Sequence, residues 1–328
     1  MRYLYFILFA LFVLWGSLSE SGVHKASRLE NHAESLYQHG NYQDALPLLQ
    51  QVLSIREKEL GPEHKDTVYS LNSLGELYRV LGQYDKALPL LQRAVVIYEK
   101  FYGPDHAATA ASVNNLANLY QIYGLYGQAL PLYQRALAIN EKIYGFEHVS
   151  TATSLGNLAT IYESLGNYGQ AVSLQQRALV IREKVLGANH KDVAISLHNL
   201  AAVFSHQGNY TKAISMYRRA LAINEKVLGP YHDSTAESVA GLAVSYSELG
   251  EYHQALPLFQ RALAINEKIY GLNHASTARS LNNLAVVYDN LNQWDLALPF
   301  FQRAYRVALT SQVPEVNLAC YGKSLALG

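Results

Sequence analysis

Residues 126–145, YGQALPLYQRALAINEKIYG, return at residues 252–271 as YHQALPLFQRALAINEKIYG. Two positions differ, Gly127 against His253 and Tyr133 against Phe259, and the offset of 126 residues is three times 42. Related copies complete the series: Tyr42, Tyr84, Tyr126, Tyr168, Tyr210, Tyr252 and Trp294 fall on one ladder with no slip. Self-similarity at such a period marks a solenoid, in which no unit can bury its apolar face alone.

Each unit reads as two helices. In residues 151–165, Leu155, Leu158, Ala159, Tyr162 and Leu165 stand at i, i+3, i+4, i+7 and i+10, one apolar stripe of a 3.6-residue period. A glycine follows each first helix (Gly40, Gly82, Gly124, Gly166, Gly208, Gly250), replaced once by Asn292, as a left-handed helix cap requires. The second helix opens near the ladder Tyr, with Ala129, Tyr133, Ala136 and Leu137 at helical spacing. Small residues recur at Gly75, Ala117, Ala159, Ala201, Ala243 and Ala285, and again at Ala45 and its six counterparts, where helices must cross closely. Pro47, Pro89, Pro131, Pro257 and Pro299 are placed in the opening turns of second helices, where few amides have partners to lose. The aromatic ladder itself reads as core.

Both ends depart from this pattern. Arg2 precedes YLYFILFALFVLW at residues 3–15, and Gly16, Ser17, Ser19, Ser21 and Gly22 follow. A basic start, a short apolar run and a small-residue exit describe a secretory signal over residues 1–22, shorter than the about 20 apolar residues of a spanning helix. Export to a periplasmic, extracellular or secretory compartment is the expectation, with an uncleaved signal-anchor as the alternative and the membrane met only through that segment. Repeats fill residues 26–310, and 311–328 form a short apolar tail or cap.

The composition excludes several functions. Lys plus Arg equals Asp plus Glu, 26 each, which speaks against a nucleic-acid partner. The single cysteine, Cys320, allows neither an internal disulfide nor a thiolate zinc site. No GxxxxGK[ST], HExxH or GxSxG motif is present, so no catalytic residue or cofactor is assigned. His64, His106, His148, His190, His232 and His274 form a regular set, but helices packed about 8–10 Å apart hold equivalent side chains too far apart to share a metal. They read as loop residues bonding or packing between units. Asn209-Tyr210-Thr211 matches a glycosylation sequon but lies on the repeat signature.

The phrase Leu-(Gly/Ala)-x-x-Tyr, the capping Gly, the ladder Tyr and the two alanines seven apart resemble the tetratricopeptide repeat. The 42-residue period, the GxxH junctions and phrases such as SLNNLA and RALAINEK are similar to kinesin light chains and their prokaryotic relatives. The resemblance implies an all-α superhelical solenoid of about seven helix-turn-helix units that scaffolds protein–protein contacts. The usual proline late in the second helix is replaced by Glu99, Glu141, Glu183, Glu225 and Glu267, so that helix is expected to run on. The coiled coil that joins a kinesin light chain to its motor is absent from this sequence.

In this family the first helices line a concave groove. Carried over, its fifth and sixth positions are Asn72 and Ser73, Asn114 and Asn115, Gly156 and Asn157, His198 and Asn199, Ala240 and Gly241, Asn282 and Asn283. An asparagine row offers donors and acceptors to the backbone of an extended peptide. Glu76, Arg79 and Asn118 join the expected peptide-binding set; with no basic fifth position, a clamp for a chaperone's terminal carboxylate is not expected. A protein or extended peptide is the expected partner. A membrane-tethered assembly factor and a self-assembling structural protein are the alternatives.

Overall fold

The computed structural model describes residues 22–310. They form two compact units that divide between Gly145 and Phe146. The first holds α1 (Gly22–Gln38), α2 (Tyr42–Glu59), α3 (Lys65–Val80), α4 (Tyr84–Tyr102), α5 (Ala107–Ile122) and α6 (Tyr126–Tyr144). The second holds α7 (Val149–Ser164), α8 (Tyr168–Leu186), α9 (Lys191–His206), α10 (Tyr210–Val227), α11 (Asp233–Glu248), α12 (Tyr252–Tyr270), α13 (Ala275–Asn290) and α14 (Trp294–Thr310). Within each unit every helix packs on the next, and neighbouring first helices also touch, as α3 does α5 and α9 does α11. The leader expected at residues 1–22 lies outside the described residues except for Gly22, which opens α1, and so does the tail expected at 311–328.

Each first helix ends on a left-handed residue, whose successor's N–H reaches back five carbonyls: Gln83 to Tyr78 at 2.8 Å, Asn209 to Phe204 at 2.8 Å. Asn292 takes this place at φ 57°, the one non-glycine at positive φ among the described residues. The crossing alanines are fully buried from Ala45 to Ala297. Second helices do run on, α4 from Glu99 to Tyr102 and α12 from Glu267 to Tyr270.

Three expectations are sharpened or corrected. The histidines are helix N-caps: Nδ1 of His148 accepts the Ser150 N–H at 3.1 Å, and His64, His106, His190, His232 and His274 do the same. Each ring holds one of the amides that its own helix start leaves unpaired, and the rings of His106 and His274 also stack at 4.4 Å on Tyr102 and Tyr270 of the preceding second helix, which is the packing between units that the sequence suggests. The aromatic ladder is not core. Its tyrosines are half-buried at the edge of the apolar clusters, and Trp294 is 45% exposed, because the opening residue of a helix lies at the rim of the crossing. The prolines stand early in their helices as expected, at the sixth residue, but this lies past the four unpartnered amides, so each forgoes one intrahelical bond.

A polar rung that the apolar pattern hides joins four of the second helices to the first helix that follows. Asn224 Nδ2 donates to Ser238 Oγ at 3.1 Å, Asn266 to Ser280 at 2.7 Å, Arg56 to Ser70 at 2.7 Å and Arg182 to Ser196 at 2.6 Å. On the second helices, ion pairs link successive units: Arg93 with Glu57 and Arg303 with Glu267, each at 2.6 Å, and Arg219 with Glu183 at 2.5 Å. These pairs are about a third exposed, so each contributes little on its own.

Candidate functional site

The carried-over positions lie on one face of the first helices, half-buried between apolar turns except for Gly156, which is buried. In the first unit that face is internally bonded. Asn115 Nδ2 donates to Asn72 Oδ1 at 3.3 Å, so part of the asparagine row bridges α5 to α3. Asn118 serves the core: the Tyr133 hydroxyl lies 2.6 Å from its Oδ1 and 2.7 Å from Gln121 Oε1, with one proton to give. Burial pushes the Tyr133 hydroxyl well above the usual tyrosine pKa. Glu76 Oε2 accepts from Arg79 Nε at 2.9 Å, while its buried Oε1 has no hydrogen-bond partner. Asn72 and Glu76 line a cavity of about 280 Å³ with Tyr37, Tyr69 and Glu34. Asn114 is half-buried beside Asn115 and is engaged by neighbours.

The second unit leaves more of its capacity unspent. The side chains of Asn199, Asn282 and Asn283 are half-buried and make no hydrogen bond among the described residues. Asn157 is half-buried and engaged. His198 faces the ring of Tyr217 edge-on at 5.2 Å, and burial lowers its imidazole pKa. With Asn199 and Glu237 it lines a small cavity of about 70 Å³. Burial, then Asp233, raises the Glu237 carboxyl, while Arg279 opposes them. Burial also raises Glu163, against the hydrogen bond that His206 makes to it at 2.7 Å.

The expected set therefore divides. Asn72 and Asn115 meet each other, Glu76 and Arg79 pair, and Asn118 turns to Tyr133. Asn199, Asn282 and Asn283 are half-buried with bonding capacity in hand, and His198 packs on the Tyr217 ring. Tyr37 and Tyr69 went unnoticed in the sequence because only a folded cavity brings them together. Gln175 carried a signal, since it breaks a column otherwise filled by Leu, Tyr and Phe. No group of His, Cys, Asp or Glu among the described residues is placed to hold a metal ion. No helix among them is long and apolar enough to cross a membrane.

A family model described as tetratricopeptide repeat matches residues 26–95, 67–142, 110–184, 150–226, 192–268 and 237–310. Among solved structures, a kinesin light chain-type protein from Podosopora anserina, built of nearly identical TPR-like repeats, is 30% identical; the match covers 63% of this chain and 99% of that one, with a TM-score of 0.54. BtubC (BKLC) from P. vanneervenii is 22% identical over 72% of this chain and 93% of its own, at a TM-score of 0.58. A Rap protein complexed with competence and sporulation factor shares the fold at a TM-score of 0.67 and 17% identity, over 89% of this chain and 77% of its own. A sequence search of curated proteins returns no match.

Proposed function

The chain belongs to the tetratricopeptide repeat family, and from that premise we propose that it is a scaffold whose first-helix face holds an extended segment of a partner protein. The observation that carries the reading is the unspent row: Asn199, Asn282 and Asn283 are half-buried, yet their amides have no partner among the described residues. A primary amide can donate and accept at once, which matches the alternating N–H and C=O of a peptide backbone. Such pairing is indifferent to the peptide's side chains, so the neighbouring pockets carry selectivity. The Rap protein bound to competence and sporulation factor shows that a solenoid of this fold can receive a ligand, and it lends support by analogy.

Export through the leader is part of the same proposal. Intact-mass analysis of protein from its native host tests it: a species lacking the first 19–21 residues agrees, and a species starting at Met1 that resists carbonate extraction replaces export with a membrane anchor.

Binding is tested by titration against a pooled library of random decapeptides. Replacing Asn199 and Asn283 by Ala removes two amides able to make two bonds each. At about 0.5–1.5 kcal/mol per net hydrogen bond, the loss is roughly 2–6 kcal/mol, well over tenfold in affinity. The melting temperature should barely move, and Val180→Ser, at a 61% exposed site on α8, should leave binding alone. Equal affinity for the double variant and the parent would place the partner elsewhere.

A further inference from the structure

Arginine occupies the second-helix end of two rungs, and the two are environmentally unequal. Arg56 is buried and neutralised: Nη1 and Nη2 donate to the two carboxylate oxygens of Glu30, each at 2.6 Å, and Nη1 also reaches Ser70 Oγ and the Asp66 carbonyl. Three periods of 42 residues later stands Arg182, only 8% exposed. Its Nη1 donates to Ser196 Oγ at 2.6 Å and its Nη2 to Thr153 Oγ1 at 3.3 Å, but no carboxylate among the described residues pairs with it. The Nε of both arginines lacks a partner, so the difference is the missing anion.

Its absence has a definite origin. The position equivalent to Glu30 is Gly156. Gly156 is buried, yet a Cβ there would meet only Gln175 Oε1, at an ordinary contact distance of 3.9 Å, so the backbone leaves room for a side chain to begin. Gln175 itself stands where other units carry Leu, Tyr or Phe, and its buried Oε1 has no hydrogen-bond partner. Thr153 and Thr160, both exposed, flank Gly156 along the same face of α7, so the notch adjoins the surface. A buried guanidinium without a counter-charge is costly, and a ligand that supplies one recovers that cost. Burial lowers the Arg182 pKa and only the more distant Asp192 offsets it.

We infer that the notch at Gly156, between Arg182 and Gln175, is a carboxylate site in which an acidic side chain of a bound peptide takes the place that Glu30 takes against Arg56. The Gln175 Oε1 is then available to a backbone N–H of the same peptide. This rests on the peptide-binding reading above and adds the chemistry of one partner residue.

The test uses the full chain and a positional-scanning library of N-acetylated, C-amidated decapeptides, with a second set ending in free carboxylates. The parent should prefer Asp or Glu over Asn or Gln at one position. Arg182→Met and Gly156→Glu should each abolish that preference and weaken acidic peptides by about ten- to a hundredfold, the equivalent of a charge-assisted hydrogen bond. Arg177→Met, at an exposed site of the same helix, should not. A preference confined to free C-termini would overturn the side-chain assignment. Peptides bound equally by the parent and both variants would overturn the site while leaving the scaffold reading intact. If no peptide binds at all, the scaffold reading falls, and a second measurement still judges the notch. Gly156→Glu should melt higher than Gly156→Gln when Arg182 is present and should lose that advantage in an Arg182→Met background; equal melting in both backgrounds would show that the notch does not accept a carboxylate.

Discussion

Gly156 and Gly241 are both helical glycines of the second unit, and they are there for opposite reasons. A Cβ on Gly241 would lie 2.5 and 2.6 Å from ring atoms of the buried Tyr217, so the glycine makes room for that ring. Gly156 has no such neighbour. Gly241→Ala should therefore destabilise by about 1–3 kcal/mol through overpacking. Gly156→Ala should stabilise by about 0.5–1 kcal/mol, the usual gain for replacing a helix-interior glycine. Urea denaturation of the two variants checks both signs. His198, against the same Tyr217 ring, carries a pH dependence. Burial lowers its folded pKa, so the folded state binds the proton less readily than the unfolded chain. Its stability contribution is fully present above the ordinary imidazole value of about 6.5 and is lost as pH falls from there through the lowered folded value. Replacing His198 by Asn should flatten that acid-side loss in melts recorded across the window.

At the scale of the helix pair, the serine rung distinguishes units that look alike in sequence. Ser238 accepts from Asn224 and donates to the Ser234 carbonyl at 2.9 Å, so Ser238→Ala leaves the buried Asn224 amide with only the Ser234 carbonyl at 3.0 Å and should cost about 1 kcal/mol. Ser112 is the counterpart that faces Tyr98 instead, and its buried Oγ has no hydrogen-bond partner. Ser112→Ala should be neutral or stabilising in the same thermal assay. The helices, their Gly caps and the crossing alanines were legible because they follow from local periodicity and from the φ preferences of single residues. The rung was not, because its members lie on helices that meet only after folding. The aromatic ladder misled for a related reason: strict recurrence of a large ring suggests burial, while its place at a helix start leaves it at the rim. The face of the first helices was legible by resemblance, yet sequence could not show which asparagines spend their amides on one another. Asn72 and Asn115 do, and Asn118 accepts from Tyr133; Asn199, Asn282 and Asn283 do neither.

For the whole molecule, an array of like units predicts that stability is approximately a sum of unit and nearest-neighbour terms. Removing residues 210–251 of the second unit deletes one period and joins Asn209 to Tyr252 in register. The product should remain helical and soluble with somewhat lower stability; circular dichroism showing global loss of helix would contradict independent stacking. The central claim is that the half-buried, unbonded asparagines of the first helices receive a peptide backbone, and side-chain amide NMR reads that contact directly. On addition of the tightest library decapeptide, the side-chain NH₂ resonances of Asn199, Asn282 and Asn283 should shift and gain protection from exchange, while the backbone amide of exposed Val180 on α8 stays unchanged. Shifts confined to second-helix residues, with those three asparagines unmoved, would contradict the account.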